Sequence, residues 1–153
     1  MSEYLALLPI LLAVTLMVAI AGGLGALARF GVDHGVQTIV NRVYRASRKS
    51  QSDTAVVAPK YLRVLGIIMV NVTGAFAVGY FTYHFEMVGA MVVVYGFFGA
   101  YTTFSTAMVH VIDIFNESSG SKDPKGLVLA LAYLFVPMML ALAAAIAGYQ
   151  LGS

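Results

Sequence analysis

The sequence has no cysteine, and charge is scarce: Asp, Glu, Lys and Arg together make up 10% of its 153 residues. The missing thiols exclude disulfides, cysteine metal sites and cysteine nucleophiles, and leave the redox compartment unmarked. Soluble domains carry about 25% charge, so a water-soluble fold is excluded on composition. Enzyme chemistry is also poorly provided for. His34, His84 and His110 fall on separate segments, with no paired carboxylates or nucleophile beside them, and no enzymatic activity is expected. The net charge of +2 is modest, and no nucleic-acid partner is expected.

What is present is hydrophobic residue in long runs, 60% of the chain, with a mean hydropathy of +0.87. A helix needs about 20 apolar residues to cross a hydrocarbon core of about 30 Å. Residues 4–28, 64–85, 87–112 and 126–153 each reach that length without one Asp, Glu, Lys or Arg. The expected fold is an all-α membrane protein with four transmembrane helices, residues 1–153 forming a single domain. The first run follows Glu3 instead of a basic start and is longer than a signal-peptide core, so it is read as a retained helix.

The cations are all on one side. With four crossings, both termini and the link at Glu86 share one face of the membrane. Arg29, Arg42, Arg45, Arg48, Lys49, Lys60 and Arg63 lie in the first connection and Lys122 and Lys125 in the second, which puts all 9 on the other face. Basic loops are retained in the cytoplasm, so both termini are expected outside. Residues 32–63 are expected to form a long basic cytoplasmic loop. It either holds a short helix around Val40, Val43 and Tyr44 lying on anionic lipid headgroups, or is a solvated segment that enforces topology.

Three segments carry motifs. The first, Gly22-Gly23-Leu24-Gly25-Ala26-Leu27-Ala28-Arg29-Phe30, ends span one with small residues that allow close helix approach, and with a cation able to snorkel to the interface. In the second, Asn71-Val72-Thr73-Gly74-Ala75-Phe76 puts an amide inside span two, where it either bonds another helix or donates to a passing anion. The third segment is Gly99-Ala100-Tyr101-Thr102-Thr103-Phe104-Ser105-Thr106, rich in weak helix formers at membrane depth. Its hydroxyls either bond back to the preceding turn and bend the helix, or the helix breaks near residues 99–103. A break would free carbonyls for a hard cation such as sodium and hydroxyls for an anion. Pro137 is expected to kink span four. His110 is expected to serve as an interhelical hydrogen-bonding group.

Taken in order, these three segments resemble the signature segments of the Fluc or CrcB family of fluoride channels, over all of the chain except the long first loop. The resemblance implies an antiparallel, dual-topology dimer with two narrow pores and a structural sodium ion at the two-fold axis. Sodium would be held by main-chain oxygens of Gly99 and Thr102. Asn71, Thr103, Phe104, Ser105 and Tyr133 would line the fluoride path, with Phe104 offering the electropositive rim of its ring. Gly22, Gly23, Gly25, Arg29 and Gly74 would serve packing and the interface.

The sequence departs from the family at three places: Ala107 stands where a second phenylalanine is usual, His110 where a glutamate is common, and Pro137 where a serine commonly follows the fourth-helix tyrosine. Two homodimer orientations need balanced loop charges, and this chain's cations are all on one face. The expectation is therefore one subunit of a heterodimer, paired in the plasma membrane with an oppositely oriented homologue, with one working pore. Two alternatives are a non-conducting structural subunit and a small four-helix multidrug-type transporter. The second lacks an intramembrane carboxylate in the four runs. Because the chain has no native thiol, topology is directly testable. Cysteine introduced as Ser52→Cys should react with an impermeant maleimide only from the cytoplasmic side, and Glu86→Cys only from outside; the opposite pattern would reverse the orientation.

Overall fold

The computed structural model describes residues 2–47, 60–119 and 124–153. Among these there is no strand. The elements are α1 (Ser2–Ser47), α2 (Lys60–Phe81), α3 (Met87–Ala90), a π-helical segment (Met91–Phe98), α4 (Gly99–Tyr101), α5 (Ser105–Ser119) and α6 (Pro124–Gly152). Four spans are long and apolar enough to cross a membrane: Leu7–Ser47, Val64–Phe81, Met87–Asp113 and Ala130–Gly152. The third is composite, built from α3, the π-helical segment, α4 and α5.

Helix α1 does not stop near Ala28. It continues without interruption to Ser47, 46 residues or about 69 Å, more than twice the hydrocarbon thickness. Residues 32–47 of the expected loop are therefore helix. The cause is local. No proline falls between Arg29 and Ser47, and contacts one turn apart tie the segment together. Gln37 Nε2 donates to Asp33 Oδ2 at 2.8 Å, Ser47 Oγ donates to the Val43 carbonyl at 3.0 Å, and the Phe30 and His34 rings stack at 6.0 Å. A helix collinear with a span cannot also lie flat on headgroups, so the lipid-surface helix around Val40 is not formed as expected. Arg48, Lys49 and Lys122 lie outside the described residues.

Buried side chains are few, as expected where lipid or a neighbouring subunit covers the outer faces. Val64, Ile67, Val70, Tyr101 and Ala130 are buried, while Leu11, Leu12, Leu16 and Ile20 of α1 are exposed. Association instead depends on backbones coming close. Helix α2 packs most extensively against α6, where Gly148 meets the Phe76 carbonyl and Gly79 the Ala145 carbonyl so tightly that a Cβ on either glycine would overlap the opposing backbone. At the far end of this pair the Tyr83 hydroxyl donates to that of Tyr149, a bond that raises the Tyr83 pKa above its ordinary value.

Overpacking in a tight contact is destabilising by about 1–3 kcal/mol or more. Gly148→Val should lower the melting temperature of the purified protein in detergent markedly, and Gly23→Val, at a position with nothing within 4 Å, should leave it nearly unchanged.

Candidate functional site

The third span loses its regular hydrogen bonding in two stages. From Met91 to Phe98 the turns widen to π-helical, so that the Gly99 N–H reaches the Val94 carbonyl. Such turns are rare and are found disproportionately at functional sites. The chain then makes one short α-helical turn and leaves the helix at Thr102, whose ψ of 153° is extended. Thr102 closes that turn by directing both its N–H and its hydroxyl to the Phe98 carbonyl, each at 3.0 Å. Helix resumes at Ser105.

Asn71 of α2 holds the opening. Its Nδ2 donates to the Thr103 carbonyl at 3.0 Å, and its Oδ1 accepts the Thr103 N–H at 2.8 Å. One side-chain amide thus satisfies both backbone groups of a residue that is only 8% exposed. Of the two roles open to Asn71, the interhelical bond is formed, and its partner is backbone. The second hydrogen on Nδ2 has no partner among the described residues.

This arrangement decides which carbonyls are freed. In an uninterrupted helix the Gly99 carbonyl would accept from Thr103 N–H and the Thr102 carbonyl from Thr106 N–H. Here Thr103 N–H goes to Asn71, and Thr106 N–H goes to the Thr103 hydroxyl at 3.3 Å. Gly99 and Thr102, the two residues expected to offer main-chain oxygens to sodium, both lose these donors, as do Ala100 and Tyr101 between them, to which no backbone N–H bonds from Phe104 or Ser105. The donor set therefore suits a hard cation, although among the described residues no cluster of His, Asp or Glu could hold a metal.

Helix α2 also makes room for the break. A Cβ on Gly74 would meet the Thr102 methyl group and the Tyr101 ring at 2.5 and 2.9 Å, and the Tyr101 hydroxyl sits 3.0 Å from that of Thr73. A cavity of about 410 Å³ opens beside it, lined by Asn71, Thr102, Thr103, Phe104, Tyr133 and others. It includes Ala107 and Pro137, two of the three positions where the sequence departs from the family it resembles. Phe104 is 63% exposed, so part of its ring is left for a surface beyond this chain.

Of the residues singled out in the sequence, Asn71, Thr102, Thr103, Phe104 and Tyr133 come together at this cavity. Ser105 does not join its lining; it is exposed, with its hydroxyl 3.5 Å from that of Thr103. Gly25 is buried against the Phe97 backbone, Gly22 lies 3.7 Å from the Gly96 carbonyl by its would-be Cβ, and Gly23 faces open space. Arg29 lies apart from the cavity, in a vestibule of about 140 Å³ on the other side of Thr103. That vestibule contains a residue the sequence reading passed over, Asp33. Its Oδ1 is buried without a partner among the described residues and packs against Gly66. An acid within a run of cations was the available signal. His110 makes no hydrogen bond among the described residues, so the interhelical role expected for it is not seen among them.

Four apolar spans, the third opened by a side chain from the second beside a cleft, define a multi-pass membrane protein of the ion-channel or transporter class. The chain belongs to a single family within that class: the one described as CrcB-like protein, Camphor Resistance (CrcB), matches residues 16–149. It is similar to a protein of Bifidobacterium longum named fluoride-specific ion channel FluC 1, 31% identical over 102 residues that cover 66% of this chain and 72% of the relative. It is also similar to fluoride-specific ion channel FluC 2 of Mycobacterium bovis, 31% identical over 137 residues, 89% of this chain and 88% of that one. The protein of the same name in Bacillus cereus is 29% identical over 138 residues, 90% and 95% of the two chains. No solved structure matches this chain.

Leaving a buried polar group unpaired costs about 1–3 kcal/mol, and Asn71→Ala leaves two. That variant should lose about 2 kcal/mol or more of stability, measured by denaturation in detergent. Asn71→Asp should lose a comparable amount at a pH where its carboxyl is ionised, because a carboxylate accepts from Thr103 N–H but faces the Thr103 carbonyl with no donor, and should recover it at a pH where the carboxyl is protonated.

Proposed function

We propose that this chain is a subunit of a fluoride-selective channel that lets fluoride leave the cell passively. The names of its relatives support the ion, and the break held by Asn71 supports a conduit at that depth. The observation that carries the reading is that one amide both opens the third span and lines the 410 Å³ cavity. On this reading the protein is not an enzyme, and the family assignment leaves a multidrug-type transporter without support.

The carbonyls of Gly99 and Thr102 would hold a sodium ion, which would supply a fixed positive charge to neutralise their bare oxygens. The chain's own part is to strip those two oxygens of their helical donors. Phe104 presents its ring rim to the anion, where the aromatic quadrupole is positive. Donors of this kind are weak, which suits an ion that must also leave.

The functional unit is a heterodimer in the plasma membrane, with an oppositely oriented homologue as partner, both termini of this chain outside and its basic loops in the cytoplasm. Two features support this: the 9 cations on one face, and Ala107 at the cavity where a second aromatic ring is usual. The remaining alternative is a non-conducting structural subunit, which the same alanine also favours.

In fluoride-loaded vesicles, the chain together with an oppositely oriented homologue should release fluoride, and the chain alone should not. Phe104→Ala in this chain should cut the paired flux at least tenfold. Full flux from that variant would assign the chain a structural role, and robust flux from the chain alone would end the heterodimer reading.

A further inference from the structure

His110 is an ionisable side chain at membrane depth that has no part in the break or in the expected sodium site. It stands half-buried on α5 and lines a second cavity together with Asn71, Ala107, Tyr133 and Pro137. Those four residues also line the 410 Å³ cavity, so the two spaces adjoin. The second is much narrower, about 10 Å³, the room that one water molecule needs. It lies toward Val64 at the start of α2 and Val111 on α5, and so leads from the break toward the face of the membrane that bears the basic loops.

The imidazole makes neither a hydrogen bond nor a ring contact among the described residues. Buried polar groups are ordinarily bonded, and ionisable groups inside membranes persist where they face a cavity or pathway. Beside it, the second Nδ2 hydrogen of Asn71 is also uncommitted, because the first goes to the Thr103 carbonyl. The narrow cavity therefore brings two donor-bearing groups to a space the size of one small ion.

We propose that His110 is an anion-binding residue, which with the Asn71 amide forms a single-ion station at the narrow end of the cavity and binds more tightly when its ring is protonated. Of the side chains that titrate, imidazole is the one that ordinarily changes charge between about pH 5 and 8. Among the described side chains, Tyr133 is the one titratable group that α2 and α6 bring to this lining. Asp113 lies further along α5, and Arg29 and Asp33 line the vestibule beyond Thr103. No described carboxylate shares the cavity with the ring, so protonation adds an uncompensated positive charge there. That fluoride is the anion rests on the proposed function; the site itself is built by this chain alone.

The sign of the coupling follows from linkage. An anion that prefers the protonated ring raises the ring's titration midpoint, by up to about one pH unit for each tenfold preference. The test is a histidine-labelled NMR titration of the full-length chain in lipid nanodiscs, in sodium fluoride and in matched sodium gluconate, with His110→Gln assigning the signal. His34 and His84 are exposed and serve as internal controls. The proposal expects the His110 midpoint to rise by about half a unit or more in fluoride while the controls stay in place. A His110 midpoint that moves no more than those of His34 and His84 would overturn it. Vesicle flux tests the channel reading separately. Fluoride-dependent titration in a protein that passes no fluoride would keep this station and remove the channel reading, and flux with an unresponsive His110 would do the reverse.

Discussion

The amide of Asn71 and the backbone of Thr103 satisfy each other, one donor and one acceptor on each side. A peptide unit outside secondary structure at membrane depth leaves two polar groups to be bonded, and a side-chain carboxamide carries both complements at the right separation whatever the pH. Much else in the site depends on that exchange. Thr103 N–H is drawn off the Gly99 carbonyl, the Thr103 hydroxyl is free to cap the restarted helix through Thr106, and Gly74 keeps the α2 surface low enough for Thr102 and Tyr101 to pass. Remove the amide, and the span has reason to close into ordinary helix.

The four crossings were legible because a bilayer imposes a length and a composition that few other environments do, and runs such as 64–85 meet both. The weak helix formers from Gly99 to Thr106 marked where the third span would fail. What they could not give was the partner. Asn71 and Thr103 are distant in sequence, and the same amide could equally have turned to an anion; only the packing of α2 on the broken span decides between these. The end of α1 was misjudged for a related reason. Arg29 marks where lipid contact should stop, which is a statement about solvent, whereas helix continues for as long as nothing such as proline stops it. Residues 32–47 have no such stop. For His110 the general rule that buried imidazoles are bonded predicts a partner, yet no hydrogen bond to it forms among the described residues, although Asn71 and Tyr133 line the same narrow cavity.

The cavity beside the break combines polar and apolar walls in a way suited to a small anion. Thr103, Asn71 and Phe104 line it, and Ala107 and Pro137 leave space that larger residues would fill. Phe104 projects outward, and the long apolar faces of α1 and α6 are exposed. This agrees with the proposed pairing with an oppositely oriented homologue.

The most direct test of this account is solid-state NMR on the protein in lipid, with Asn71, Gly99 and Thr103 labelled for through-space nitrogen–carbon transfer. Strong transfer between the Thr103 amide nitrogen and the Asn71 side-chain carboxamide carbon, stronger than that to the Gly99 carbonyl, is the predicted result. Transfer dominated by the Gly99 carbonyl would mean that the helix is continuous through Thr103, and the account would be wrong at its base.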